Sequence, residues 1–148
     1  MSKDTLLLWG REFDLPVHMD QYSGESILPS QTNALNRLMY ASRSELNAAK
    51  KAVKEYLLTK NPNVFSGNDS IDNIFRYVYP KTIFVPHDEK HSIAAILCDY
   101  KFDPEHGLAI VFNDGKFKKS WFTRHRIVKR PKDNYKKSSR RMVRDTPT

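Results

Sequence analysis

The sequence predicts an α+β fold with two N-terminal strands, two or three helices and a C-terminal antiparallel β-meander. Apolar residues recur at helical spacing in the middle of the chain, whereas the later part carries β-branched and aromatic runs separated by short turns. The chain has 148 residues, which is the size of one ordinary domain. We therefore expect a single α+β domain over residues 1–122, followed by a tail over residues 123–148.

Two strands are expected at the N-terminus, over residues 5–9 and about 13–22. Within the second stretch apolar and polar side chains alternate, which is typical of a strand with one buried face. Gly24 is expected to end it, because glycine favours turns.

Two longer helices are predicted from their start signals. The first begins near Pro29, whose fixed φ suits the first helical turn. The second begins at residues 42–45, where Ser-Arg-Ser-Glu fits a capping box. A short third helix is expected over residues 70–78, ended by Pro80, after a loop over residues 61–69.

The C-terminal meander is predicted from strands over residues 82–85, 92–100 and 108–112, which are too closely spaced for parallel crossovers. The Asn-Asp-Gly sequence at residues 113–115 indicates a hairpin turn, with a return strand over residues 116–122. Five side chains of these strands are expected to be mostly buried: Ile93, Ile96, Cys98, Ile110 and Phe112.

Several function classes receive no support from the composition. No apolar run approaches the roughly 20 residues that span a bilayer, and the first residues do not resemble a secretory signal. The single cysteine, Cys98, excludes an intramolecular disulfide, so we expect a cytoplasmic protein with no membrane partner. Because the sequence contains no phosphate-binding glycine loop, nucleophile elbow or paired CxxC motif, we expect no cofactor.

The charge is distributed unevenly along the chain. Residues 1–115 carry a net charge of −3, whereas residues 116–148 carry +11. We expect the tail to be disordered, because it is rich in Lys, Arg, Ser and Pro. Since cations track phosphates, the tail predicts weak, non-specific nucleic-acid binding through side chains that include Arg124, Arg126, Lys129, Arg130, Arg140 and Arg141.

The most distinctive stretch is a polar turn between two predicted core strands. Asp103 and Pro104 favour a turn, and Gly107 can supply a positive φ where the next strand begins. Two carboxylates and an imidazole can bind cations or move protons. A self-satisfied turn and a binding or partner-contact site remain alternatives, with these binding candidates: Asp99, Asp103, Glu105 and His106.

A second polar turn contains His87 and His91. Two histidines four residues apart can bind one zinc ion when they share a face of a helix. Pro86 precedes this stretch and a predicted strand follows it. We therefore expect a solvated hairpin turn here, and no metal site.

Residues 12–119 resemble an uncharacterised family of small bacterial proteins that are common in gut anaerobes. The hallmark is Asp-x-x-Phe-Asp-Pro-Glu-His-Gly-Leu-Ala at residues 99–109, with weaker matches at 15–22, 29–31 and 79–85. The resemblance implies an α+β domain of unknown activity. It also implies a relationship to domains suspected of being immunity proteins against bacterial toxins, and it supplies no catalytic residues.

The resemblance stops after Lys119. Members of that family typically close with Lys-Ile/Val-Gly-x-Gln-Asp, whereas this chain continues with Ser-Trp-Phe-Thr-Arg-His-Arg. One choice of codons for this stretch, shifted by one base, reads Lys-Val-Gly-Ser-Gln-Asp-Thr. We therefore hypothesise a frameshift at a run of adenines, which would make the basic tail an accident of the reading frame.

The leading functional hypothesis is a non-enzymatic protein-interaction module of the toxin-immunity type, with an unknown protein as partner, because no complete catalytic constellation is recognisable. The alternative is non-specific nucleic-acid binding through the tail. A third hypothesis is a hydrolase that uses Asp103, Glu105 and His106.

Overall fold

The computed structural model describes residues 2–65, 70–119, 123, 127 and 128. The secondary structure consists, in chain order, of β1 Ser2–Leu8, β2 Arg11–Met19, α1 Pro29–Met39, α2 Arg43–Lys60, α3 Pro62–Phe65, a 3-10 helix Ile74–Arg76, β3 Val78–Val85, β4 Ile93–Tyr100, β5 Leu108–Asn113 and β6 Lys116–Phe117. This arrangement confirms the predicted α+β fold. None of the described helices is long and apolar enough to cross a membrane.

The six described strands form one mixed sheet in the order β1-β2-β3-β4-β5-β6. Strands β3 to β6 pair antiparallel, which confirms the predicted meander. Strand β2 pairs parallel with β3 over a short stretch, Val17 to Met19 against Ile83 to Val85. A parallel pair requires a crossover, and α1 to α3 lie in the segment that connects these two strands.

The two N-terminal strands form a hairpin whose turn consists of Trp9 and Gly10. Both turn residues have positive φ, 52° and 84°, as a two-residue turn of the primed type requires. Strand β2 ends at Met19, earlier than predicted. The next residue, Asp20, donates its backbone N–H to the Val85 carbonyl at 2.9 Å, and the strand does not extend further.

The prediction of a third helix over residues 70–78 is wrong. That stretch contains a turn in which the Asp72 N–H donates a hydrogen bond to the Ser70 hydroxyl oxygen, followed by the 3-10 helix. Strand β3 already begins at Val78. Pro80 lies inside this strand, where the register shifts between Pro80 and Thr82, and such an irregularity accommodates the missing N–H of proline.

Helices α1 and α2 start where predicted, and each start also bonds distant strands. Ser42 accepts the Glu45 N–H at 3.2 Å, as in a capping box, but the Glu45 carboxylate accepts the N–H of Phe117 in β6 at 2.8 Å. At α1 the buried Gln31 accepts the Leu28 N–H through its side-chain oxygen. The Gln31 amide donates to the carbonyl of Asp20, which follows β2, and to the carbonyl of Val85, which ends β3.

The main core lies between the helices and one face of the sheet. Four of the five predicted core side chains, those of Ile96, Cys98, Ile110 and Phe112, are fully buried there. Ile93 is half-buried and packs against a smaller cluster with residues of β3, β4 and β5, which consists of Phe84, Ala95, Leu97, Ala109 and Val111. Ile127 also packs against this second cluster.

Candidate functional site

The predicted polar turn bonds mainly to itself. The carbonyl of Asp103 accepts the N–H of Gly107 at 2.9 Å, and Gly107 has a φ of 66°, which confirms the predicted positive φ. The Asp103 carboxylate lies 2.9 Å from Nδ1 of His106 and also accepts the backbone N–H of His106 at 3.4 Å. The turn therefore satisfies its polar groups locally, as a self-satisfied turn does.

The two charged groups of this turn stabilise each other's ionised form. The side-chain hydrogen bond from His106 lowers the pKa of the Asp103 carboxyl. The same hydrogen bond raises the pKa of the His106 ring. Both side chains are about half exposed, at 42% and 51%, so solvent screens the pair.

The hydrolase hypothesis, which named Asp103, Glu105 and His106, stays a prediction, and the described contacts of these residues are as follows. Glu105 is exposed, and the ring of His106 has its hydrogen bond with Asp103. Nucleophilic catalysis needs a third group within hydrogen-bond reach of the base. Nor do three His, Cys, Asp or Glu side chains converge on a metal-sized site anywhere in the described chain.

Asp99, the fourth candidate, lies next to this turn on β4. Its carboxylate is 3.8 Å from Nζ of Lys81, and both side chains are half exposed. Asp99 and Pro104 line a shallow groove of about 330 Å³ together with Arg76, Tyr77, Tyr79, Tyr100 and Lys101. Asp99 thus shares a groove with the start of the polar turn, while its ion pair is with β3.

The prediction that His87 lies in a solvated turn is wrong. Its ring is buried, with Nε2 at 3.3 Å from a carboxylate oxygen of Glu25 and the ring centre 4.7 Å from that of Tyr22. The reason is that β2 and β3 are parallel, so the segments that follow them leave the sheet at the same end and pack together. His91 is exposed, and the Asp88 carboxylate accepts its backbone N–H.

The candidate nucleic-acid residues of the tail, Arg124, Arg126, Lys129, Arg130, Arg140 and Arg141, lie outside the described residues.

Sequence reasoning missed a groove of about 610 Å³ beside β1, which we call the β1 groove. It is lined by Leu6, Leu7, Trp9, Gly10, Met39, Ala41, Arg43, Leu46, Asn47 and Lys50. The Trp9 indole N–H donates to the Leu46 carbonyl at 2.8 Å, which fixes the hairpin turn against α2. The sequence carried one signal of it: since side chains alternate along a strand, Leu7 between Leu6 and Leu8 must face the other side, and it is 59% exposed.

The fold and these surfaces define an α+β domain with a mixed sheet and an open groove at one sheet edge. A family model described as "Domain of unknown function (DUF6985)" matches residues 2–120. The chain therefore belongs to that family, and the match ends next to Lys119, where the sequence resemblance also stops. No curated protein and no solved structure matches the chain significantly.

Proposed function

We propose that the chain is a non-enzymatic protein-interaction module whose partner binds in the β1 groove. The observation that carries the proposal is the position of this groove, which contacts both the inward-facing Leu6 and the outward-facing, exposed Leu7. Because β1 is an edge strand of the described sheet, a groove lined by Leu6 and Leu7 lies beside that edge. Open sheet edges next to apolar surface are recurrent protein-binding sites.

The composition of the groove also supports a protein partner. Its apolar lining includes Leu6, Trp9, Met39 and Leu46, and Trp and Met are residue types enriched at protein interfaces. The polar turn, in contrast, has its main hydrogen-bonding groups occupied internally. In this proposal the Asp103 turn shapes the fold, and the β1 groove makes the contact.

The resemblance of the sequence to suspected immunity domains favours a toxin as the partner class. An immunity protein blocks a toxin by binding it, which requires a surface and no catalysis. In this proposal the module acts in the cytoplasm, where Cys98, buried in the sheet, stays reduced. A toxin gene next to the gene of this chain would support this form of the proposal.

The test compares groove variants with matched controls in recovery of partners from the source cells. Leu7→Ser removes an exposed apolar side chain of the groove, and Leu58→Ser removes a comparably exposed one on α2, away from the groove lining. Lys50→Glu reverses a charge on the groove wall, and Lys51→Glu reverses an exposed one beside it.

We expect a protein that co-purifies with the unmodified chain and both controls, and that is lost from both groove variants. Equal recovery with all five proteins would place the contact elsewhere and contradict the proposal. Circular dichroism of each variant separates loss of binding from loss of fold.

The alternative function, nucleic-acid binding, is favoured by the net charge of +11 over residues 116–148. Its test is affinity for DNA and RNA against salt, for the full chain and for a truncation after Lys119. Binding that persists at physiological salt and disappears on truncation would support an evolved nucleic-acid arm. Binding that vanishes at moderate salt is expected from charge alone, and resequencing the gene tests the frameshift hypothesis.

A further inference from the structure

Strand β1 is an edge strand of the described sheet, and one side of its backbone has no neighbouring strand there. The hairpin turn closes on the pair Leu8 and Arg11, and the register continues residue by residue to Ser2 opposite Val17. Along an antiparallel strand, the backbone N–H and C=O groups of every second residue bond the partner strand, and those of the residues between them point away from it. The two residues that flank a two-residue turn are hydrogen-bonded to each other, so the backbone groups of Leu8, and two residues earlier those of Leu6, bond β2.

It follows that the intervening residues, Lys3, Thr5 and Leu7, direct their N–H and C=O groups away from β2. The β1 groove begins beside Leu7 in this row. Leu7 is the member of this row that also lines the groove, so a strand that bonds the row would reach the groove at Leu7.

The opposite wall of the groove is the first part of α2. Arg43, Leu46, Asn47 and Lys50 line it, and the Trp9–Leu46 hydrogen bond holds this wall at the end of β1. A groove between an edge strand and a helix admits an extended segment. A volume of about 610 Å³ accommodates only a few residues of such a segment.

The charges that line the groove indicate which charge a bound segment should carry. Its lining contains two cationic side chains, Arg43 and Lys50, and no acidic one. Both cations lie on the helix wall, opposite the strand edge. Carboxylates of a bound segment can therefore pair with them while its backbone bonds β1.

We propose that the β1 groove binds an extended, acidic segment of a partner protein, which adds to the sheet as a further strand beside β1. The inference rests on the proposed function, because it names how and with what chemistry the partner occupies that groove. The backbone contact fixes the segment's extended conformation, and Arg43 and Lys50 favour acidic sequences.

The first experiment uses the full chain and a short acetylated peptide that alternates valine with threonine and ends in glutamates. Hydrogen exchange is followed by NMR. Peptide binding is expected to slow exchange at the amides of Lys3, Thr5 and Leu7. The amides of Leu6 and Leu8 already bond β2 and are expected to change little. Binding without protection of the first set would overturn strand addition.

The second experiment tests the backbone and charge requirements of the same peptide. N-methylation of one alternate set of its amides is expected to weaken binding by about tenfold or more, while methylation of the other set has little effect. Arg43→Glu and Lys50→Glu, each made alone, are expected to weaken binding severalfold, and Lys51→Glu, which changes the net charge equally, is the matched control. Equal effects of both methylated sets, or no effect of charge reversal, would overturn the inference.

These outcomes are separable from failure of the proposed function. If the cellular partner depends on Leu7 and Lys50 but the peptide does not protect the β1 amides, the interaction module stands and strand addition falls. If the chain instead self-associates and protects the same amides without peptide, β1 pairs with a second copy, which overturns the peptide proposal.

Discussion

Gly107 determines the local path of the chain at the polar turn. Its φ of 66° lies in the left-handed region, where a Cβ costs about 1–2 kcal/mol. We expect Gly107→Ala to lower the free energy of unfolding by that amount. Glu105→Ala, in the exposed part of the same turn, is expected to change it by less than about 0.5 kcal/mol. Urea denaturation measures both, and equal effects would mean that the glycine conformation does not matter.

The ion pair between Asp103 and His106 has a predicted pH dependence. The lowered pKa of Asp103 gives stabilisation that is lost as pH falls through the folded-state pKa. The raised pKa of His106 gives stabilisation that is lost as pH rises through its folded-state pKa. The pair should therefore contribute most between about pH 4 and pH 6.5, the unfolded pKa values of its members.

An NMR titration tests this pair directly. In Asp103→Asn, which keeps the shape of the side chain without its charge, the pKa of His106 is expected to fall towards its ordinary value. His91, which is exposed, provides the reference in the same spectra. An unchanged pKa of His106 would show that Asp103 is not the cause of its shift.

At the scale of elements, helix starts were predictable where they depend on local bonds. The residue types at positions 42–45 indicated a capping box, and the Ser42 half of it forms. The Glu45 half could not be foreseen, because its partner, Phe117, lies in β6 and the capping motif carries no information about distant strands. The helix prediction for residues 70–78 failed for a related reason, since pairing with β4 makes Val78 part of β3.

Gln31 connects α1 to both parallel strands, and its loss has a predictable cost. Gln31→Met would leave the Leu28 N–H and the Asp20 and Val85 carbonyls without these bonds, and we expect a loss of roughly 2 kcal/mol or more. Gln21→Met, at an exposed position with a weaker bond of 3.2 Å to the Glu25 carbonyl, is expected to cost about 0.5 kcal/mol or less. Thermal or urea denaturation distinguishes the two, and similar costs would contradict the role of Gln31.

At the scale of the whole molecule, hydrophobic patterning predicted the fold class and the burial of four core side chains, those of Ile96, Cys98, Ile110 and Phe112. It did not predict that β2 and β3 are parallel, because strand direction depends on the path of the intervening helices. That single feature buries His87 against Glu25, a contact invisible in the local sequence. The β1 groove was equally inaccessible, because it is formed by residues of β1, the end of α1 and the start of α2.

The second apolar cluster has one contact with a described residue of the predicted tail. Its members in β3, β4 and β5, Phe84, Leu97 and Val111 among them, are largely buried although they do not belong to the main core cluster. Ile127, within the tail as predicted from sequence, packs against this cluster. This contact shows that Ile127 contributes to the packing of the sheet, whatever the origin of the reading frame.

We propose that partners of this chain bind at the β1 groove and not at the polar turn. The most direct measurement is hydrogen exchange by mass spectrometry on the full chain, free and bound to its co-purified protein. We expect slower exchange in peptides covering residues 3–10 and 43–50, with little change over residues 99–107. Protection confined to residues 99–107 would contradict this expectation and would place the partner contact at the Asp103 turn.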